Sequence, residues 1–135
     1  MENRERFYKL MEERKEIVKK NYDSNCIGTA FYLIGEQEED NSELSRENIE
    51  SKINKMKKLE FPQKGALLKM SSEGKVQHLA VISNLFPFRV YSRNGAHSEF
   101  KEQNFEEMCK EYKWLNNPSI EYFEPGKLNQ LMEEN

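Results

Sequence analysis

Asn25-Cys26-Ile27-Gly28-Thr29-Ala30-Phe31-Tyr32-Leu33 places a cysteine where an apolar helix begins, directly after the polar run Asp23-Ser24-Asn25. The first turn of a helix carries unpaired N–H groups and the positive end of the dipole, and both favour a thiolate there. Ile27, Ala30, Phe31 and Ile34 fall on one face at helical spacing, so this helix is expected to be deeply packed, with Gly35 as its stop. The acidic run Glu36-Gln37-Glu38-Glu39-Asp40-Asn41 follows as a solvated loop, without the regular ligand spacing of a calcium loop.

Upstream, residues 3–21 read as an amphipathic helix whose stripe holds Phe7, Met11 and Val18, with Leu10 and Ile17 beside them. Downstream, Ser45 is placed to cap a third helix that buries Ile49, Ile53 and Met56. Lys52, Lys55, Lys57 and Lys58 crowd its end, as a helix C-terminus favours. Pro62 breaks that pattern, and between Gly65 and Gly95 the period becomes that of strands.

Ala66 to Met70, Val76 to Ser83 and Phe88 to Ser92 are three strands joined by tight turns, which implies an antiparallel meander. The middle strand is the most apolar, so it belongs inside, covered by helices. Asn104 opens a helix bearing Phe105, Met108, Cys109 and Tyr112. Ile120 to Phe123 is a last strand, and Pro125-Gly126 precedes a short C-terminal helix. The expected architecture is a single α+β domain over 1–135, with N-terminal helices packed on a small antiparallel sheet.

His78 lies on the innermost strand and shares a face with Ala80 and Ile82. On the next strand Arg89, Tyr91 and Arg93 are expected to face outward, so Ser92 faces inward, with Asn94 if the strand continues. If the Cys26 helix covers the His78 face, the order becomes cysteine, histidine and a polar orienter. The imidazole would then draw the proton from sulfur while the third group fixes its ring.

Four short boxes in this order resemble the NlpC-like cysteine peptidases, a compact branch of the papain-like fold. Asn25-Cys26-Ile27-Gly28 is similar to their Asp-Cys-Ser-Gly, and Lys64-Gly65-Ala66-Leu67-Leu68 to the Gly-Asp-Leu-Val that leads into their first core strand. His78-Leu79-Ala80-Val81-Ile82 resembles their His-Val-Gly-Ile-Tyr strand, and Val90-Tyr91-Ser92-Arg93-Asn94-Gly95 falls where they carry a third polar residue. The match spans 25–95, over half the chain. The resemblance implies a thiol peptidase or amidase working through a thioester, with Cys26 as nucleophile and His78 as general base and then acid. The Cys26 N–H would contribute to the oxyanion hole. The chain departs from the pattern at Asn25 and Ala66, where the family has Asp, and at Ser92, where it often has His. Asn94 and His97 are the alternatives for the third position, although His97 reads first as a loop residue.

Composition narrows the partners. Lys plus Arg total 21 against 24 Asp plus Glu, a near balance that argues against a dedicated nucleic-acid binder. No apolar run is long enough to span a bilayer. The N-terminus lacks a secretory leader, which predicts a cytoplasmic address. Two cysteines and two histidines are too few for a usual structural zinc site, and no cofactor is implied. The expected ligand is a small peptide, amide or acyl substrate. The competing expectations are a non-catalytic binding module on the same scaffold and an unrelated α+β interaction protein.

Overall fold

Strand segments must pair before their backbone N–H and C=O groups can be buried. In a computed structural model that describes residues 2–133, they pair as one open antiparallel sheet. Its strands are β1 (Lys57–Leu59), β2 (Leu67–Ser72), β3 (Lys75–Asn84), β4 (Arg89–Arg93), β5 (Phe100–Asn104) and β6 (Ser119–Glu124). The helices among the described residues are α1 (Asn3–Val18), α2 (Cys26–Leu33), α3 (Arg46–Asn54), α4 (Phe105–Glu111) and α5 (Gly126–Met132). The strand order is β1-β6-β2-β3-β4-β5, and every neighbouring pair is antiparallel. The fold class is therefore α+β. None of the described helices is long and apolar enough to cross a membrane.

The meander β2-β3-β4 forms as the strand period predicts, and β6 inserts beside β2, with Leu67 opposite Phe123. Two elements differ from the sequence reading. The third helix stops at Asn54, and Lys57–Leu59 becomes the edge strand β1, where lysines protect an open edge. Phe100–Asn104 forms β5 against β4, although its single apolar residue gives no alternation to detect. Ser45 caps α3 through its side-chain oxygen, which accepts the Asn48 N–H at 3.3 Å. Asn104 does not cap α4, because its side chain bonds Arg89 and Glu107 instead.

Both faces of the sheet are covered. Leu67, Leu79, Val81, Tyr91 and Phe123 pack with α1, α2, α3 and α5 through Phe7, Met11, Phe31, Leu33, Ile53 and Leu128. Leu68, Met70, Ala80, Ile82 and Val90 pack on the other face with Met108, Tyr112 and Leu115, from α4 and the segment after it. Stacked apolar layers on both sides explain why β3 reads as a near-continuous hydrophobic run. In α1, the stripe that reaches the core is narrower than its period suggests, since Leu10 and Ile17 are exposed.

The β4 face expected to point outward is covered as well. Arg93 is fully buried and Tyr91 nearly so, because α2 and the C-terminal end of α1 cover that side. Arg93 is satisfied there by Thr29 Oγ1 at 2.8 Å, by the carbonyls of Ser98 and Val18, and by Asp40 at 3.4 Å. The 36–41 loop is consequently not wholly solvated, since the Asp40 side chain is only 3% exposed. The same loop crosses α2 at Gly28, where a Cβ would stand 1.8 Å from the Asn41 carbonyl oxygen. Only glycine permits that crossing. Gly35, with φ +82°, ends α2 in the left-handed conformation that glycine adopts without strain.

Candidate functional site

Cys26 is the first residue of α2, and the Asn25 side chain caps the helix by accepting the Gly28 N–H at 2.8 Å. Pairing between β3 and β4 runs from Asn84↔Arg89 only as far as Val81↔Tyr91. Beyond that point the head of α2 meets β3, and the Cys26 sulfur faces the backbone N–H groups of Leu79, Ile27 and Cys26 itself. Those dipoles favour a thiolate, as a helix start should. Burial outweighs them and pushes the thiol above its ordinary pKa. The stabilised thiolate expected from the sequence is therefore absent, because Cys26 is only 8% exposed and desolvation penalises the charged form.

His78 is completely buried. It points to the face under α4, opposite the one that α2 covers, so the condition that the Cys26 helix overlies the His78 face is not met. The two residues approach where the β3–β4 ladder stops, with sulfur beside the backbone of Leu79. No hydrogen bond links the sulfur to the ring among the described residues. The ring nitrogens are taken by other groups: Nε2 lies 2.9 Å from Ser92 Oγ, and Nδ1 lies 2.9 Å from the Tyr112 hydroxyl. The Tyr112 ring also stacks on the imidazole, with centroids 4.4 Å apart. Burial lowers the His78 pKa to about 3, with the Glu111 charge acting weakly in the opposite sense. At neutral pH the site holds a neutral thiol and a neutral imidazole.

Ser92 is buried beside His78, as β4 parity predicts. Its hydroxyl donates to Asn94 Oδ1 at 2.5 Å. Asn94 in turn donates to Gln103 Oε1 at 2.8 Å and to Glu111 Oε2. Asn94 thus belongs to the histidine's network at one remove. His97 does not: it sits in the loop after β4 at φ +58°, with its N–H on the Ser24 carbonyl and Nδ1 near the Tyr22 carbonyl.

Sequence reasoning does not single out Tyr112 and Glu111 as site residues. The helical period marks Tyr112 as inward-facing, but nothing in the chain says which face of the sheet α4 covers. Tyr112 also feels the charge of Cys26; burial first, then Cys26 and Glu111, push its phenol well above the ordinary range. Its hydroxyl and ring are both engaged by His78.

Cys109 is half-buried on α4, and both cysteines are free. Among the described residues, no cluster of three or more His, Cys, Asp or Glu side chains is arranged to hold a metal ion. No family model, no curated protein and no solved structure matches this chain.

Proposed function

We propose that the chain is a cysteine-dependent hydrolase or acyltransferase of papain-like type, acting on an amide, peptide or ester bond. Cys26 is the nucleophile, His78 the base and then the acid, and Ser92 with Asn94 the groups that hold the imidazole. The observation that carries this reading is that the two groups share one backbone segment where the β3–β4 ladder ends. The Cys26 sulfur faces the N–H of Leu79, the residue next to His78, and the Tyr112 hydroxyl bonded to His78 Nδ1 feels the Cys26 charge.

The protonation states select one version of the chemistry. With the thiol pushed up and the imidazole pushed down, the pair is neutral at rest, so attack proceeds by general-base catalysis and not from a preformed ion pair. Sulfur bonds to the carbonyl carbon as Nδ1 takes the thiol proton, and the oxygen left negative is met by the N–H groups of the first turn of α2. The imidazolium returns the proton to the leaving amine or alcohol, giving a thioester at Cys26. Water or an acceptor nucleophile then breaks the thioester by the same steps in reverse. The Tyr112 hydroxyl must leave Nδ1 before the thiol can use it.

That closure is the specific observation favouring a second reading, a binding module on the same scaffold in which Tyr112 permanently seals the pair. Hydrolysis of 4-nitrophenyl acetate separates the two. Cys26→Ala is expected to abolish hydrolysis above background, and His78→Ala to slow it by about 10²–10⁴-fold, the usual worth of a positioned base. A Cys26→Ala protein as fast as wild type would remove the enzyme reading.

A further inference from the structure

A serine hydroxyl cannot by itself orient an imidazole, because it can either donate or accept. The hydrogen-bond chain around His78 resolves that ambiguity from its far end. The Glu111 carboxylate only accepts, and it receives Lys101 Nζ at 2.9 Å, the Asn94 amide and the Gln103 side chain. Burial pushes the Glu111 carboxyl up, but Lys101 and Gln103 outweigh it and hold the group below its ordinary pKa, so it stays an acceptor at neutral pH.

Each link then has one direction. Asn94 spends both amide hydrogens, on Glu111 and on Gln103 Oε1, and so presents Oδ1 to Ser92. Ser92 donates its single hydrogen to that oxygen at 2.5 Å, and its Oγ is left to accept from His78 Nε2 at 2.9 Å. With its proton on Nε2, the ring offers a bare Nδ1, which accepts the Tyr112 O–H. Gln103 points the same way, donating to Glu111 and accepting from Asn94.

We propose that Glu111 is a positioning residue that acts through Asn94 and Ser92 to keep the His78 proton on Nε2, leaving Nδ1 as the accepting nitrogen. The catalytic consequence rests on the thiol reading above, since Nδ1 is the nitrogen that takes the Cys26 proton; the tautomer itself does not. Glu111 and Tyr112 are neighbours at the end of α4, so this one turn governs both ring nitrogens.

The test is the pair of His78 ring ¹⁵N shifts at neutral pH, read through two-bond coupling to the ring protons. Wild type is expected to show a protonated Nε2 and a bare Nδ1. In Glu111→Gln the anion is lost, the new amide can donate, and both shifts should move toward each other as the tautomers mix. Lys101→Met keeps the carboxylate and should leave the shifts in place. A wild-type ring protonated on Nδ1 overturns the proposal, as does a Glu111→Gln ring with unchanged shifts. If Glu111→Gln does not fold, the wild-type spectrum together with Ser92→Ala, which removes the Nε2 acceptor and should also mix the tautomers, decides it. The expected tautomer in a protein without acyl transfer would leave Glu111's role intact and sink only the thiol reading. Acyl transfer with the proton on Nδ1 would sink Glu111's role and leave Cys26 as nucleophile with Nδ1 excluded as its base.

Discussion

Asp40→Ala is expected to destabilise the chain by about 3–5 kcal/mol, the cost of leaving a buried charge without its partner. Arg93 is fully buried and reaches Asp40 at 3.4 Å, while Thr29 Oγ1 bridges the two, accepting from Arg93 and donating to Asp40 at 2.8 Å on each side. Removing the carboxylate leaves the guanidinium in a low-dielectric site with only neutral acceptors. Arg93→Met should cost a comparable amount, since it also strands the carbonyls of Val18 and Ser98. The double variant should cost less than the sum of the singles, because the second substitution removes a charge the first has already orphaned. Urea unfolding reads all three. A loss below about 1 kcal/mol for Asp40→Ala would put the pair in the class of solvated surface bridges and contradict its burial.

The second large effect is a pH dependence carried by one residue. His78 titrates at about 3 in the fold against 6.5 for the free side chain, so between those values the unfolded chain binds the extra proton. Stability rises with pH wherever the unfolded state holds more protons. His78 therefore costs nothing well above pH 6.5, and the fold loses stability progressively as pH falls toward 3. Between pH 7.5 and 4.5 the expected loss is about 2–3 kcal/mol, because each step of one in pH below 6.5 costs roughly 1.4 kcal/mol when only the unfolded chain takes up the proton. Glu12, Glu111 and Glu121 are all held below the ordinary carboxylate value of 4.5, so they add a loss of the same sign as pH nears 4.5, where the unfolded chain begins to protonate them. The slope in the upper part of the window is left to His78. His78→Gln should flatten the profile there while lowering stability at neutral pH. An unchanged slope in the variant would mean that His78 is not held neutral by burial.

Local patterns carry much of the architecture. The run from Ala66 to Ser92 declares its period, its turns and its most buried member, and Ser45 and Gly35 mark helix ends by their own chemistry. Strands β1 and β5 are hidden because their stability comes from partners β6 and β4 and not from their own alternation. Arg93 misleads because an arginine reads as solvent-facing until its acceptors are known, and those come from α1, α2, the 36–41 loop and the loop after β4, up to 75 positions away. At the site, Cys26 at a helix head and the Ser92 hydroxyl facing His78 follow from spacing and strand parity. Which helix roofs the imidazole does not. That depends on α4 crossing the face opposite α2, and it brings in Tyr112 and Glu111 from outside every box the sequence offers. The thiol's protonation is likewise unreadable, since a helix N-terminus and burial pull in opposite directions and only the fold says how deep the sulfur lies.

The central claim is that sulfur and imidazole act as one acyl-transfer pair, and peptide-mapped mass spectrometry after brief exposure to 4-nitrophenyl acetate tests it most directly. A single acetyl group is expected on Cys26 in wild type, with little on Cys109, and none on Cys26 in His78→Ala. Acetylation of Cys109 in preference to Cys26, or equal acetylation of Cys26 with and without His78, would contradict it.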